Sequence, residues 1–402
     1  MIPEKIATEK SSIIKQGQDK SPFDYLGVFA FLAFINFLVW TIGWLFFMEN
    51  LSAPKDWLLF WDTSNLFASG AYAKLYPGVT PGLPFVYPPY FPLFVYPLSF
   101  LSRASAYIVL VIFLLILMLW SFFLLQRITK IGFSKLFKLL VIALSSASWL
   151  VVMPLGHISV LFLFLICCSL WLQSLNRRVL SGLVLSLLML KPNIGIIFPV
   201  LFALRRDSKT LAGWLSGFGF LCALPFFFCK SLWWDYFYAT MNIGSLINLI
   251  PPWKHHTLHA FFRSILLPEH AALVFPLWLL LCVPLTGFCL YLWHAARASY
   301  NFLPRLYSIA VLTIVVCNPY FHHYDAILVV LPAVVFFADK TRYFSKTTIL
   351  AVALSLFFAF ITQQISVLYL QSGVSFVGVP LTILLIAELW DLIDLHRSEQ
   401  AA

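Results

Sequence analysis

Runs of about twenty apolar residues recur along the chain, with polar or aromatic stretches between them. A run of that length is what an α-helix needs to cross the hydrocarbon core of a bilayer. Clear runs occupy residues 26–48, 104–125, 137–153, 157–175, 210–229, 271–295, 347–369 and 374–392. Two further runs are interrupted: 179–204 by Lys191-Pro192-Asn193, and 305–339 by the stretch from Asn318-Pro319 through His322-His323-Tyr324-Asp325. Proline and clustered polar residues cannot continue a helix through lipid unless the freed backbone finds other partners. Each interrupted run is therefore expected to be a hairpin of two short helices.

Two long aromatic segments lie between the apolar runs. Residues 49–103 hold Glu49, Asp56 and Asp62, then seven prolines between Pro77 and Pro97. Asp62-Thr63-Ser64-Asn65, followed by Leu66–Tyr76 and Pro77-Gly78, reads as a short helix with Asp62 as its N-cap. Residues 230–270 contain Trp233-Trp234-Asp235-Tyr236 and Pro251-Pro252-Trp253-Lys254-His255-His256. There, Leu258, Phe261, Phe262, Ile265 and Leu266 fall on one helical face with Arg263 off it, which predicts a helix lying in the membrane plane. His255, His256 and His259 read as interfacial residues.

Composition narrows the class. The 402 residues are 61% hydrophobic and 10% charged, against about 45–50% and 25% in soluble domains. Mean hydropathy is +0.92. A water-soluble enzyme, a nucleic-acid-binding module and a disordered scaffold are excluded. The net charge of +10 follows topology. With the N-terminus cytoplasmic and both interrupted runs folded as hairpins, 19 Lys and Arg fall on the cytoplasmic side and six outside, with Lys191 in the membrane. That is the positive-inside pattern.

The expected fold is an all-α polytopic membrane protein of about twelve hydrophobic segments, two pairs of them short, with helices in the outer-face loops and both termini cytoplasmic. Residues 1–25 form a cytoplasmic tail, and 26–395 one integral domain with outer loops 49–103 and 230–270. The first 24 residues lack the basic start and immediate apolar core of a cleaved signal, so the first run reads as an anchor. The seven cysteines sit in or beside apolar runs without a CxxC spacing, as buried free thiols do.

The hairpins draw attention to chemistry. Arms of about 12–13 residues reach roughly 18–20 Å, short of the hydrocarbon thickness of about 30 Å. Irregular backbone at such depth lines a cavity or is buried in protein, and an ionisable group there is a candidate functional residue. Lys191 suits a phosphate or another lipid-anchored anion. A general base on the outer side must be drawn from Glu49, Asp56, Asp62, Asp235, Glu269, Asp325 or a histidine. His322 and His323 are adjacent, pointing about 100° apart on a helix, and no HExxH spacing occurs. Phosphate binding is expected of them rather than metal ligation. No P-loop, GxGxxG or GxSxG occurs in a suitable context, so no cofactor and no nucleic-acid partner are expected.

Asp62, Leu75-Tyr76, Phe85-Val86-Tyr87-Pro88-Pro89 and Tyr96-Pro97-Leu98 together resemble the first outer loop of glycosyltransferase family 87. Gly156-His157-Ile158-Ser159 resembles the family's Gly-Gln-x-Asn, with His157 and Ser159 as departures. Leu190-Lys191-Pro192 before Arg205-Arg206 resembles its Lys-Pro run, and Asn318-Pro319 with His323-Tyr324 its Pro-x-x-x-His-Tyr segment. His256-Thr257-Leu258 stands where the family often has Asn-Gln-Ser-Leu.

The resemblance implies a GT-C fold and a polyprenyl-phosphate-sugar donor, from which a sugar, mannose or another hexose, passes with inversion to a lipid-linked or envelope glycan acceptor. It implies a bacterial plasma membrane with the site facing outward. It makes Asp62 the expected base, with Lys191, His322 and His323 on the donor phosphate. Tyr87, His157, Trp233, Trp234, His256 and Tyr324 are expected to line the substrate. A lipid-linked glycan polymerase or ligase, and a secondary transporter or flippase, are the alternatives.

Overall fold

The computed structural model describes residues 25–47, 56–76, 85–241, 250–298, 302–338 and 375–401. The N-terminal tail, the proline-rich centre of the first outer loop at 77–84 and the expected span at 347–369 lie outside the described residues. Helices follow in the order α1 (Tyr25–Phe47), α2 (Asp56–Ala68), α3 (Phe91–Val95), α4 (Arg103–Thr129), α5 (Phe133–Leu144), α6 (Ala147–Leu155), α7 (Ser159–Ser174), α8 (Arg178–Ser186), α9 (Pro192–Gly195), α10 (Ile197–Leu204), α11 (Ser208–Ala223), α12 (Leu232–Met241), α13 (Leu258–Leu266), α14 (Ala271–Ala295), α15 (Leu303–Cys317), α16 (Val330–Ala338) and α17 (Gly378–Ala401). Short 3-10 turns connect several of them. The described residues contain no strand; one isolated bridge joins His255 to His322.

Three described helical stretches are long and apolar enough to cross a membrane: Arg103–Thr129, Ser208–Phe227 and Ala271–Ala295. A fourth arises if α5 and α6, bent by 56° at their junction, count as one. Shorter apolar helices fill the rest of the bundle, among them Ser159–Ser174 and Leu303–Cys317. Exposed Ile108, Ile112, Phe113, Ile116 and Trp120 on α4 and Leu280 and Val283 on α14 present an apolar outer surface. This is a membrane protein's exterior, since a soluble fold does not leave such stripes uncovered.

At the centre lies α15, buried at every position except Pro304. A helix apolar all round belongs in the interior. Beside it, α8 and α11 approach closely through glycine. A Cβ on Gly182 would fall 2.0 Å from the Thr210 carbonyl oxygen, and one on Gly213 would fall 2.1 Å from that of Val179. Small residues at such contacts let helices associate where lipid removes the hydrophobic drive. Hydroxyls complete the contact: Ser169 meets Ser181 and Tyr307 at 2.7 Å each, and Gln173 donates to Thr210 at 2.6 Å.

The first interrupted run doubles back. Arg178, at its start, lies 4.0 Å from Asp207, just past its end, so α8 and α10 leave from and return to one end of the bundle. The break falls at Lys191, whose backbone (φ −133°, ψ 86°) is non-helical. The ring of Pro192 disfavours helical backbone at the preceding residue.

The first outer helix departs from expectation. It is α2, beginning at Asp56 rather than Asp62 and ending at Ala68 rather than Tyr76. Leu59, Phe60, Thr63, Ser64 and Phe67 are its buried residues, a stripe of helical period that starts well before Asp62. The Asp-Thr-Ser-Asn cluster sits within the helix, where Ser64 and Asn65 both donate to the Trp61 carbonyl oxygen. Gly70, at φ +72°, supplies the left-handed turn that follows the helix.

Candidate active site

Both hairpin apices meet. Asn193 donates to the Tyr320 carbonyl oxygen at 2.6 Å, and Asn318 donates to that of Asn193 at 2.9 Å. The Asn318 side chain also accepts from the Tyr320 amide at 2.9 Å. Polar backbone of each apex is thus satisfied by side chains of the other.

Across this junction Lys191 reaches Asp325. The Lys191 ammonium lies 2.5 Å from Asp325 Oδ2, and the Asp325 residue is fully buried. Asp325 sits in the first turn of the 3-10 segment His323–Val329 and also accepts the His322 amide at 3.2 Å. Its other oxygen accepts from the Ser159 hydroxyl at 2.6 Å. Every lone-pair direction that matters is used, which is the condition for a buried ion pair to be tolerated.

Ser159 passes the network onward. Its Oγ lies 2.7 Å from His157 Nδ1, and His157 Nε2 lies 3.3 Å from the Tyr87 hydroxyl. The His157 ring stacks on Tyr324 at 3.7 Å, and the Lys191 ammonium stands 5.1 Å above that same Tyr324 ring. Tyr87, His157, Lys191, His322, His323 and Tyr324 are therefore brought together as the sequence anticipates, with Ser159 and Asp325 as the ties between them.

A third wall comes from residues 250–257. His255 pairs with His322 across the isolated bridge, their rings stacked at 4.6 Å. The His256 amide donates to the Phe321 carbonyl oxygen at 3.2 Å, and His323 Nδ1 lies 3.1 Å from the Lys254 carbonyl oxygen. Ser375, just before α17, fixes the His255 carbonyl at 2.6 Å. His255 and His256 are 1% and 0% exposed, so they are not the interfacial residues the sequence suggested. Pairing with a segment 67 residues away covers them. Burial first, and Arg263 next, hold the His255 imidazole down at about 3. Burial also keeps His256 well below its ordinary value.

The carboxylate facing this cluster is Asp56. Burial pushes its carboxyl up to about 7, with Lys191 pulling it down and Asp325 pushing it up. The residue as a whole is half-buried, yet its Oδ2 is shielded from solvent and has no hydrogen-bond partner. The four ring nitrogens of His255 and His256 are in the same condition. An unsatisfied buried polar atom costs about 1–3 kcal/mol, so each of these atoms is a candidate to receive a polar group of a ligand.

Asp62 lies on the same helix as Asp56. Six residues along α2 place it about 9 Å further on and about 240° around the helix from Asp56. Trp233 belongs to the periphery, edge-on to Tyr90 at 6.1 Å, and Tyr90 donates to the Met189 carbonyl oxygen at 2.7 Å. Trp234 is 76% exposed. Sequence reasoning passed over Asp56, although it stood among the six outer acids. The available signal was the apolar stripe starting at Leu59, which extends the helix back to it.

Among the described residues, no three His, Cys, Asp or Glu side chains converge with metal-ligand geometry. The described residues thus gather a buried ammonium–carboxylate pair, several imidazoles and two tyrosines where the two broken hairpins meet.

The family model of glycosyltransferase family 87 matches residues 85–319, well over half of the chain, and the chain belongs to that family. It is accordingly a glycosyltransferase, using a sugar donor and an acceptor, and the transporter alternative is set aside. No curated protein and no solved structure matches the chain.

Proposed function

We propose that the chain transfers one sugar, mannose or another hexose, from a polyprenyl-phosphate donor to a lipid-linked or envelope glycan acceptor, inverting the anomeric carbon. The observation that carries the reading is the Asp56 carboxyl, whose Oδ2 is shielded without a hydrogen-bond partner and which feels the charges of Lys191 on one hairpin apex and Asp325 on the other. A base near pKa 7 is well matched to abstracting a hydroxyl proton at neutral pH. In this reading Asp56, rather than Asp62, removes the acceptor's proton as its oxygen attacks the anomeric carbon. The bond from that carbon to the donor phosphate breaks, and the electron pair leaves with the phosphate.

Charge then grows on the departing phosphate, where fixed cations and N–H donors lower the barrier. Lys191, His322 and His323 supply them. Asp325 acts as a positioning residue, holding Lys191 at the junction. Tyr87, His157, His256 and Tyr324 line the sugar, while Trp233 and the exposed Trp234 suit the prenyl chain. The membrane is a bacterial plasma membrane, with both termini cytoplasmic and the site facing outward.

The test uses purified protein in nanodiscs, a panel of radiolabelled polyprenyl-phosphate hexoses and a total lipid extract as acceptor. Asp56→Asn and Asp62→Asn are run beside the wild type. Label is expected to reach a new product with the wild type and Asp62→Asn and to be lost with Asp56→Asn. Consumption of none of the donors would reject the donor class.

A further inference from the structure

His256 lines the sugar in the proposed transfer while His255 has no role there, and these neighbours differ in surroundings. The backbone at His255 is extended (φ −116°, ψ 137°), so consecutive side chains turn to opposite sides. The His255 ring stacks on His322 at 4.6 Å and lies 5.6 Å from that of Tyr320. Arg263 and His259 on α13, His323 on the second apex and Lys191 on the first all act on it electrostatically, Arg263 most strongly. Arg263 is buried, with its guanidinium turned inward to the Ile250 carbonyl oxygen at 3.4 Å. It thus places a full positive charge behind His255.

His256 has a different field. Its ring lies 6.0 Å from that of His323, and among the described residues the charges shifting it come from the imidazoles of His323 and His255, with no Lys or Arg among them. Each of the two rings carries two shielded nitrogens without a hydrogen-bond partner. A neutral imidazole offers one N–H donor and one acceptor. Next to a cation the N–H suits an oxyanion; without one, the donor–acceptor pair suits a hydroxyl, which can both give and take a hydrogen bond.

We infer that His255 and His256 divide the donor between them: His255, backed by Arg263 and stacked on His322, binds the phosphate, and His256, beside His323, binds hydroxyls of the sugar. The segment Pro251–Thr257 is then a partition, one residue reading the part of the donor common to every polyprenyl-phosphate sugar and the next reading the part that varies. The inference rests on the polyprenyl-phosphate reading above.

Sugar-free polyprenyl monophosphate separates the two roles. Its affinity is measured with the full-length protein in nanodiscs, for the wild type, His255→Gln, His255→Ala, His256→Gln and His256→Ala, alongside that of the sugar-bearing donor that the panel identifies. His255→Ala is expected to weaken both ligands about tenfold, the worth of one hydrogen bond to a charged group. His255→Gln, which keeps an N–H donor, recovers part of that loss. His256→Ala is expected to leave the monophosphate within about twofold of the wild type and to weaken the sugar-bearing donor about tenfold. Thermal unfolding of each variant identifies any that misfold, and there the Gln variant decides. Equal effects of the two positions on the monophosphate, or an effect of His256→Ala on it alone, would overturn the division while leaving the donor class intact. Failure of the wild type to bind the monophosphate would overturn both.

Discussion

Replacing Asp56 by Asn tests the base assignment in two independent ways. For activity, the amide cannot take a proton, and loss of a general base typically costs roughly a hundred- to ten-thousand-fold in rate. The wild type should show an acid limb, kcat/KM falling tenfold per pH unit below about 7, because the base must be ionised and burial holds it at about 7. For stability, the sign runs the other way. A carboxyl raised from 3.8 to about 7 on folding favours the protonated form in the native state, so its stabilising contribution is complete below about 4 and lost as the pH climbs through 7. That rise corresponds to about 4 kcal/mol as a ceiling, at about 1.4 kcal/mol per tenfold change. Asp56 is half-buried, and screening by solvent brings the figure to roughly 1–2 kcal/mol. Asp56→Asn is therefore expected to be inactive yet more stable at pH 8, by about 2–4 °C in Tm. The advantage should shrink below pH 7 and disappear near pH 4. Thermal unfolding followed by tryptophan fluorescence from pH 4 to 8 needs no knowledge of the substrate. A pH-independent stability difference, or an inactive Asp62→Asn beside an active Asp56→Asn, would refute the reasoning.

Other perturbations follow from the packing. Lys191→Met and Asp325→Asn each leave a buried group without its counter-charge and should cost about 3–5 kcal/mol. The double variant should recover most of that in a thermal-unfolding cycle. Ser159→Ala removes the donor to Asp325 Oδ1 and is expected to cost about 1–3 kcal/mol, read as a lower Tm with sugar transfer reduced alongside. Gly213→Ala would press a methyl 2.1 Å from the Val179 carbonyl oxygen and should reduce folded yield in size-exclusion profiles. Gly219→Ala on the same helix meets open space and should gain about 0.5–1 kcal/mol.

The hairpins were legible because charge distribution along the chain is a nearly one-dimensional record of topology. Arg177, Arg178, Arg205 and Arg206 flank a run too rich in breaks to cross once, and the contact between Arg178 and Asp207 bears out its return. Lys191 was legible for the same reason, as an ammonium with nowhere to go in an apolar run. Asp56 was not. Its neighbours Pro54, Lys55 and Trp57 have the composition of any membrane interface, and the charges that act on its carboxyl, Lys191 and Asp325, lie far away in sequence. His255 was missed likewise, and His256 stood out only through the resemblance: Pro-Trp-Lys-His-His reads as an interfacial belt until a bridge to His322 covers it. Ser159 was visible only as a departure from the family's Asn. Its worth lies in the hydroxyl that reaches Asp325, a partner 166 residues later.

The ion pair at the apices also imposes an order on biosynthesis. Lys191 and Asp325 are separated by 134 residues, which take about 7–27 s to synthesise at about 5–20 residues per second. Throughout that interval the first hairpin exists and its counter-charge does not. An ammonium without compensation is costly at membrane depth, so the nascent hairpin should wait near the interface or in the shelter of the insertion machinery. It settles when the second apex arrives to claim it. The Lys191–Asp325 pair can therefore form only after the second apex is made, and a truncated chain that lacks the second hairpin leaves Lys191 without its counter-charge.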